Sequence, residues 1–421
     1  MRAHTLVIGG GVMGLSIAAE LAARLDPLEA PVVLLERREF GAGSSGRSGA
    51  ILRAFYSDRE LIGMARDSLR AYASFATRTG RTIGFTRCGV LSIGAPGAQA
   101  ALIERNVAAM RECGIEVERI DAARLRELVP GIDVAPDTIA AFEPGGGFVD
   151  PQRTCQAFAA LARSRGATLR EGARVVRWFV EHGRAVAVEV ESAGSLQRVE
   201  FQRAVVAAGP WTRALLELLG VRLPLRAVRP EQHFVGPPAP SGGAAPFERE
   251  SPEEWLDARF APPREPRAAH PVLLDLEHGF YTRCEPARGR TRVGALDYAR
   301  DRELADPDAL DERVSADFSA WARERLCSRL PAYRETPDVD AQAAWYTLTP
   351  DSQALIGPCP GAHNVFVASG FSGHGFKLAP SIGEGVAQLV LGEAVGAFDT
   401  NFFAPERFEL RRARSGGAFG L

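Results

Sequence analysis

The chain lacks long apolar runs, paired cysteines and, almost entirely, lysine. No stretch reaches the roughly 18 apolar residues that a membrane-spanning helix requires, so we predict no membrane span. The six cysteines, at positions 88, 113, 155, 284, 327 and 359, form no CxxC pair, which favours reduced thiols in the cytoplasm and predicts no disulfide and no metal site. Lys377 is the one lysine among 50 basic residues, and the others are arginine.

An excess of charge of either sign is also missing. The formal net charge is −2, which gives no reason to expect nucleic acid or an anionic membrane surface as a partner. The N-terminus runs directly into the apolar segment Leu6–Gly9 without a basic flank, so we expect no signal peptide. A chain of 421 residues is too long for one ordinary core and predicts two domains.

The periodicity of apolar residues begins with a β-α-β unit, which predicts a parallel sheet. Its parts are a strand at 4–9, a helix at 12–25 and a strand at 31–36. The remaining predicted elements, in chain order, are a helix around 58–80, a hairpin at 81–94, mostly helix over 98–129, a helix at 151–166, strands at 173–180, 184–191, 197–208, 271–283 and 290–296, a helix at 308–330, a strand at 364–369 and a helix at 378–393.

Two segments show no clear periodicity. Residues 236–269 are rich in Pro, Gly and Ala and predict a long surface excursion, where we expect substrate specificity to lie. The tail after residue 405, with Arg411, Arg412 and Arg414, is expected to fray.

The junction of the first strand and helix carries a dinucleotide-binding fingerprint, G-x-G-x-x-G, in Gly9–Gly14. Gly9 allows the tight turn, Gly11 lets the backbone approach a pyrophosphate, and Gly14 lets the helix pack on the strand. Glu36 ends the second strand, where a carboxylate accepts hydrogen bonds from ribose hydroxyls and disfavours NADP. The alternative interpretation of these glycines is an ordinary tight turn between a strand and a helix, which would not require the carboxylate of Glu36.

Four separated segments together resemble the D-amino acid oxidase/sarcosine oxidase superfamily. They are VIGGGVMGLSIAAELA with LLER, GSSGRSGAILR at 43–53, VVAAGPWT at 205–212, and residues 343–384, which include FSGHGFK. The resemblance spans nearly the whole chain and implies an α/β fold: a glutathione-reductase-like, FAD-binding Rossmann domain with a second, mixed-sheet α+β substrate domain.

The resemblance also implies domains that are discontinuous in sequence, because the cofactor motifs are far apart. We predict an FAD-binding domain from residues 1–80, 150–222 and 335–421, and a substrate domain from residues 81–149 and 223–334.

The cofactor that the resemblance implies is FAD, held non-covalently. Relatives with covalent flavin carry a Cys or a His where this chain has Ala344-Trp345 and Ser45-Gly46-Arg47. The residues expected to bind FAD are Gly9, Gly11, Val12, Met13, Gly14, Glu36, Arg37, Ser44, Ser45, Arg47, Ser48, Gly49, Val175, Ala208, Gly209, Trp211, Gly370, Ser372, Gly373, His374, Gly375, Phe376 and Lys377.

The glycine-rich loop near the end of the chain also has a physical interpretation. Gly370, Gly373 and Gly375 lie between a predicted strand and a predicted helix. Exposed amide groups and a helix N-terminus there can stabilise negative charge on reduced flavin. Without the resemblance, a plain strand-to-helix turn would explain these glycines equally well.

Four side chains are candidates for the reaction itself. By resemblance, Arg53 and Lys377 bind a substrate carboxylate, through a planar fork and a point charge respectively. The alternative for Arg53 is a surface ion pair with Asp58 or Glu60, whereas a single lysine in an arginine-rich chain favours a functional role for Lys377.

Tyr281 resembles the family's pocket tyrosine, although a strand tyrosine without a function is an equal alternative. By resemblance, Arg292 is the nearest local match to the lysine with which oxidases of the family promote reaction with oxygen, and it either substitutes for that lysine or the reaction with oxygen is lost. His374 and His278 are not assigned as bases, since oxidation of an unprotonated amine needs none.

The function predicted from these residues is hydride transfer from an amine or amino acid, preferably a secondary or N-methyl amino acid, to FAD. The electron acceptor is oxygen or another redox partner. Two alternatives stay open: a 2-hydroxy-acid or glycerol-phosphate dehydrogenase on the same fold, and a flavin-binding subunit without turnover of its own.

Overall fold

The computed structural model describes residues 1–238, 268–409 and 420. Two large mixed sheets of eight strands each form the framework of the described chain, and helices cover them. The predicted α/β fold class is therefore confirmed.

The first sheet has the strand order β20-β21-β11-β1-β2-β8, and β10 and β9 extend it from β11. Its strands are β1 (Arg2–Ile8), β2 (Val32–Leu35), β8 (Thr168–Arg170), β9 (Arg174–Glu181), β10 (Arg184–Ser192), β11 (Ser195–Val206), β20 (Leu355–Cys359) and β21 (Ala362–Ser369). Strand β1 is parallel to β2 and β11, and β11 is parallel to β21. The predicted parallel β-α-β unit is confirmed.

The second sheet has the order β18-β13-β16-β15-β14-β4-β6-β5. Its strands are β4 (Val90–Gly94), β5 (Glu118–Asp121), β6 (Ile139–Glu143), β13 (Glu231–Val235), β14 (Val272–Asp275), β15 (Phe280–Glu285), β16 (Arg290–Ala295) and β18 (Asp338–Ala343). Two small sheets contain β12 (Arg226–Arg229), β17 (Arg302–Leu304) and β19 (Tyr346–Leu348), and β3 (Ile51–Leu52) with β7 (Gly147–Phe148).

The helices of the described residues are α1 (Val12–Arg24), α2 (Arg59–Ala73), α3 (Phe75–Thr79), α4 (Ala98–Glu112), α5 (Ala122–Leu128), α6 (Pro151–Ser164), α7 (Thr212–Glu217), α8 (Ala316–Arg329), α9 (Ala379–Leu391) and α10 (Thr400–Phe403). Helix α1 is buried on most sides and packs against α6 and α9. The Ser16 hydroxyl donates to the Ala379 carbonyl at 2.9 Å, and a side chain at Gly383 would collide with Ser16. This close crossing joins the start of the chain to its last long helix.

The strands of the two large sheets come from alternating parts of the chain. Strand β18, from the segment expected in the FAD-binding domain, pairs with β13 of the second sheet. The domain boundaries themselves stay a prediction.

Two local predictions were wrong. Residues 81–94 form no hairpin, because β4 pairs with the distant strands β14 and β6. The prediction of mostly helix over 98–129 is confirmed, and Gly114 (φ +75°) and β5 lie between the two helices α4 and α5. The helix predicted at 308–330 begins at Ala316 instead, where the Ser315 hydroxyl caps it.

The expected fraying after residue 405 was also wrong for the described part of the tail. Arg407 is buried, and its guanidinium pairs with Asp351 at 2.9 Å. Positions 411, 412 and 414 lie outside the described residues, as do residues 239–267 of the expected surface excursion. None of the helices in the described ranges is long and apolar enough to cross a membrane.

Candidate active site

A cavity of about 400 Å³ opens at the carboxyl edge of the first sheet. Gly9 follows β1, Glu36 follows β2, Ala208 follows β11 and Gly370 follows β21, and all four residues line the cavity. Parallel strands bring their carboxyl ends to one edge, where α/β sheets bind their ligands. Four distant parts of the sequence therefore converge on one site.

In the structure, the glycines of the fingerprint allow the backbone segments at Gly9 and Gly14 to approach each other closely. Gly9 has φ +118°, and a Cβ on Gly14 would lie 2.0 Å from the Gly9 carbonyl oxygen. The first turn of α1 has no acidic side chain, and the Val12 amide donates to the Ser45 hydroxyl at 3.0 Å. The positive end of α1 is thus available to an anion beside Ser45.

Glu36 also braces this loop. Its carboxylate accepts from the Gly10 amide at 2.6 Å and from the Arg38 amide at 2.8 Å. Burial raises the pKa of Glu36, although the hydrogen bonds from these two amides act to lower it. The carboxylate lines the cavity at the end of β2, in the position expected of a ribose acceptor.

Arginine and tryptophan side chains form one wall of the cavity. The guanidinium of Arg37 lies 4.7 Å from the ring centroid of Trp211, and that of Arg47 lies 4.9 Å from Trp345. The two indole rings are 5.5 Å apart, and the Trp211 indole N–H donates to Asp308 at 2.9 Å. Stacking of this kind rigidifies the wall.

Most residues predicted to bind the cofactor line this cavity. They are Gly9, Gly11, Val12, Met13, Glu36, Arg37, Ser44, Ser45, Arg47, Ser48, Val175, Ala208, Gly209, Trp211, Gly370, Ser372, Gly373, Gly375 and Phe376. Gly14, Gly49, His374 and Lys377 do not, and their cofactor contacts stay predictions. Lining residues that the sequence prediction omitted include Arg38, Arg174, Gln232, Asp308, Trp345, Tyr346 and Thr347.

Arg53 and Lys377 are brought together against the ring of Tyr56. The Arg53 guanidinium lies 4.6 Å from the ring centroid and Lys377 Nζ lies 5.8 Å from it. Both cations are buried, with 4% and 8% exposure, so Arg53 is not a surface cation. Burial and mutual repulsion lower the pKa of Lys377 well below its ordinary value. Lys377 directly follows Phe376, which lines the cavity.

Glu143, which the sequence prediction missed, belongs to the same cluster. Both of its carboxylate oxygens accept from the Ala54 amide, at 2.8 and 3.0 Å, and the residue is 2% exposed. Burial raises the pKa of Glu143 to about 7, in spite of the amide bonds and the nearby charges of Arg53 and Lys377. Glu143 thus holds the backbone directly after Arg53 and adds one negative charge.

His374 is buried beside this cluster. One ring nitrogen lies 2.9 Å from the Ser352 carbonyl oxygen and the other lies 3.4 Å from the Tyr56 hydroxyl. Burial, with Lys377 and Arg53 nearby, lowers the pKa of His374 to about 3, so the ring is neutral.

Arg292 and Tyr281 lie one layer behind the cavity. Arg292 donates to the Gln232 side chain at 2.6 Å and to the Arg47 carbonyl at 2.8 Å, and both of these residues line the cavity. It also pairs with Glu285 at 2.7 Å. The Tyr281 hydroxyl accepts from the Gln232 amide at 3.3 Å. Gln232 therefore connects both candidates to the cavity.

One group of potential metal ligands is present in the described chain, formed by Asp275, Glu277 and His278. The Arg329 guanidinium bonds to all three, at 2.6 Å to Asp275 and 2.8 Å to each of the others. A cation already occupies the centre of this group.

The cavity residues fit a dinucleotide. The Ser44 hydroxyl lies in the wall, is buried, and has no hydrogen-bond partner among the described residues. A buried hydroxyl without a described partner beside the N-terminus of α1 calls for a polar ligand. FAD supplies phosphate and ribose oxygens for this position, and the glycine loop leaves room for them.

Comparison with known proteins identifies the family. Residues 4–389 match the family described as FAD-dependent oxidoreductase. The chain is 27% identical to 4-methylaminobutanoate oxidase (formaldehyde-forming) of Paenarthrobacter nicotinovorans, over 96% of this chain and 45% of that protein. It is 25% identical to monomeric sarcosine oxidase of Bacillus sp. (strain B-0618), over 92% of this chain and 91% of that protein.

Solved structures show the same fold. L-proline dehydrogenase from P. horikoshii superposes with a TM-score of 0.81 at 23% identity, over 98% of this chain and 99% of that one. The chain spans less than half the length of the first of the curated relatives named above. The chain belongs to the FAD-dependent oxidoreductase family, and the predicted resemblance is confirmed.

Proposed function

We propose that this member of the FAD-dependent oxidoreductase family oxidises a small secondary or N-methyl amino acid to an imine. The observation that carries the proposal is the pair of buried cations, Arg53 and Lys377, on the ring of Tyr56 beside the cavity. Two buried like charges on one ring favour binding of an anion between them. A substrate carboxylate is the anion that an amino acid brings.

The residues divide the work between binding and orientation. FAD, when bound, accepts a hydride from the carbon next to the substrate nitrogen. Arg53 and Lys377 hold the carboxylate, and Tyr281 is proposed to line the substrate pocket. The amides of the loop Gly370–Gly375 stabilise negative charge at the flavin. Relatives named for 4-methylaminobutanoate and for sarcosine, both N-methyl amino acids, support this substrate class.

The decisive experiment is anaerobic mixing of the FAD-loaded protein with candidate amines, N-methyl amino acids, 2-hydroxy acids and glycerol phosphate. Loss of the flavin absorbance band with an N-methyl or secondary amino acid supports the proposal. Bleaching by a hydroxy acid or glycerol phosphate alone would replace it with the dehydrogenase alternative. No bleaching by any class would favour a flavin-binding subunit without turnover.

We propose that FAD is not covalently attached, since Ala344, Trp345 and Arg47 occupy the family's attachment positions. Acid precipitation should leave the yellow colour in the supernatant. Colour retained in the pellet would show an attachment residue elsewhere in the chain.

The remaining proposals concern the location of the protein, its electron acceptor and its domains. We propose a cytoplasmic location because the cysteines are scattered and unpaired in the described chain. The electron acceptor is proposed to be oxygen or another redox partner. We also propose that both domains are discontinuous in sequence and that β18 belongs to the substrate domain.

A further inference from the structure

The side-chain amide of Gln232 is held in one orientation by its hydrogen bonds. Its oxygen lies 2.6 Å from the Arg292 guanidinium, and an arginine side chain has donors but no acceptor. The same oxygen lies 2.6 Å from the Gln342 amide nitrogen, which also donates to the Arg47 carbonyl at 3.2 Å. Two donors therefore fix the position of the oxygen, and the nitrogen of Gln232 lies on the other side of the amide.

This nitrogen faces Tyr281 and determines which way the Tyr281 hydroxyl points. It lies 3.3 Å from the hydroxyl oxygen, and an amide nitrogen can only donate. The hydroxyl oxygen is thus the acceptor in this bond, and the Tyr281 proton has to point away from Gln232. No residue in the described ranges of the chain accepts that proton in a hydrogen bond. Burial raises the pKa of Tyr281, so the phenol keeps its proton at neutral pH.

The Tyr281 hydroxyl lies beside the cavity. Gln232, to which it is bonded, is buried and lines the cavity, and Tyr281 itself is buried. A Cβ on Gly49 would lie 3.6 Å from the Tyr281 ring, so the ring packs against a residue that is expected to bind FAD. A buried donor that no protein group satisfies is costly, which favours a ligand that supplies the acceptor.

We infer that Gln232 is a positioning residue that holds the Tyr281 hydroxyl as a hydrogen-bond donor to an acceptor oxygen of a ligand in the cavity. Two ligands bring such an oxygen: a substrate, through its carboxylate, and FAD, through its carbonyl and ribityl oxygens. A carboxylate or carbonyl oxygen can use the Tyr281 proton, but it has no proton to give to a hydroxyl that is turned the other way. For the substrate carboxylate, the inference rests on the proposed function.

Gln232→Glu is the variant that reverses the bond. Its carboxylate keeps one oxygen towards Arg292 and places the other beside Tyr281, and a carboxylate oxygen can only accept. The Tyr281 proton is then drawn to position 232 and is lost to the ligand. Gln232→Met is similar in size and uncharged, and it removes the bond without reversing it. This second variant decides the question if a new buried charge prevents folding.

Each variant is made both with Tyr281 and with Tyr281→Phe, and two affinities are measured for every protein at pH 8. The first is the affinity for FAD, and the second is the affinity of the FAD-loaded protein for propionate, from the perturbation of the flavin absorbance spectrum. A new charge or a packing defect at position 232 acts in both backgrounds, whereas the direction of the hydroxyl matters only where Tyr281 is present.

The expected result is that Gln232→Glu weakens one of the two affinities by a larger factor with Tyr281 than with Phe. The factor should be about tenfold larger for propionate, whose oxygen is charged, or about fivefold larger for FAD, whose oxygens at this position are neutral. Gln232→Met should show a difference in the same direction of at least about threefold. Equal factors in the two backgrounds, in both affinities, would overturn the inference.

The two affinities also separate the inference from the proposed function. If wild-type protein binds propionate and Lys377→Met does not, the carboxylate site stands, whatever the result at Gln232. If wild-type protein binds no propionate, the proposed carboxylate function fails, and the affinity for FAD alone decides the role of Gln232.

Gln342→Met is the matched control. Gln342 donates to the same oxygen of Gln232, but none of its described bonds reaches Tyr281, and Arg292 still fixes the amide in this variant. Its effect on either affinity should be the same with Tyr281 and with Phe, to within about twofold. A dependence on Tyr281 as large as that of the Gln232 variants would overturn the positioning role.

An infrared spectrum tests the direction of the bond without any added ligand. The C–O stretching band of Tyr281 is obtained as the difference between each FAD-loaded protein and its Tyr281→Phe counterpart. This band differs between a phenol that accepts a hydrogen bond and one that donates it, so it should shift in Gln232→Glu and stay in place in Gln342→Met. An unshifted band in Gln232→Glu would show that Gln232 does not set the direction of the Tyr281 hydroxyl.

Discussion

Two buried clusters each place cations near one glutamate, and they differ in how the glutamate is held. Glu285 forms ion pairs with Arg283 at 3.0 Å, Arg290 at 2.8 Å and Arg292 at 2.7 Å. Its pKa is held well below the ordinary value by these guanidiniums. Glu143 instead accepts from the backbone amide of Ala54, and its pKa rises to about 7.

The difference separates a structural cluster from a binding cluster. In the Glu285 cluster, the carboxylate is saturated with direct cation partners, and the arginines are further tied to backbone carbonyls such as that of Gly49, at 2.5 Å from Arg283. In the Glu143 cluster, the carboxylate instead accepts from the backbone amide of Ala54, and its charge acts on Arg53 and Lys377 from nearby. A carboxylate that is paired directly with three guanidiniums braces the fold, whereas Arg53 and Lys377 are proposed to bind a substrate carboxylate.

The largest expected effect is on stability, and it is tested by replacing the glutamate of each cluster with glutamine. Glu285→Gln leaves three guanidiniums without their shared carboxylate and should lower the free energy of unfolding by about 3–5 kcal/mol. Glu143→Gln should not destabilise the protein at pH 8, because its environment disfavours the charged form that it replaces. Denaturant unfolding of both FAD-loaded variants tests the contrast, and equal losses would erase the distinction between the clusters.

The pH dependence of these two contributions has opposite sign. The folded pKa of Glu285 is depressed, so its stabilisation is present above the unfolded pKa and is lost as the pH falls. The folded pKa of Glu143 is raised from 4.5 to about 7, so its ionisation opposes folding increasingly as the pH rises across that range. Unfolding curves between pH 4.5 and 8 should therefore show Glu143→Gln gaining on the wild-type protein as the pH rises.

A smaller effect is expected on ligand binding at Lys377. Lys377→Met should weaken turnover of a carboxylate substrate, and its inhibition by acetate derivatives, by about ten- to a hundred-fold, since a charge-assisted hydrogen bond contributes roughly 1.5–3 kcal/mol. FAD should stay bound. Steady-state kinetics with the bound flavin quantified in each sample provide the measurement.

Lys377→Arg is the sharper variant at the same position. A wider planar group cannot replace a point charge in a buried site, so this variant should also be impaired. Full activity would show that the solitary lysine has no special role. Normal carboxylate affinity in both variants would instead favour a plain amine as the substrate.

The cofactor cradle could be predicted from the sequence because its residues are consecutive and chemically distinctive. Gly9–Gly14 and Gly370–Gly375 can be recognised by the spacing of their glycines next to predicted strands. Lys377 can be recognised because it is the one lysine in the sequence. Glu143 and Gln232 carry no such signal, since each is one polar residue in an ordinary strand that long-range pairing brings to the site. The false hairpin at 81–94 has the same cause, because alternation of apolar residues does not specify which strand is the partner.

The smallest expected effect concerns oxygen and Arg292. Arg292, which the sequence predicts to match the oxygen-promoting lysine of related oxidases, is paired with Glu285 and is not among the residues that line the cavity. A cation whose charge is already balanced gives little further attraction to a forming superoxide anion, although arginine stays charged at every relevant pH. We therefore expect slow reoxidation by air, favouring a dehydrogenase, and a change of less than about fivefold, or roughly 1 kcal/mol, in Arg292→Lys. Stopped-flow mixing of the substrate-reduced protein with oxygenated buffer measures both rates. Reoxidation of the wild-type protein as fast as that of good flavin oxidases would show that Arg292 is not the neutralised, structural cation that its cluster indicates.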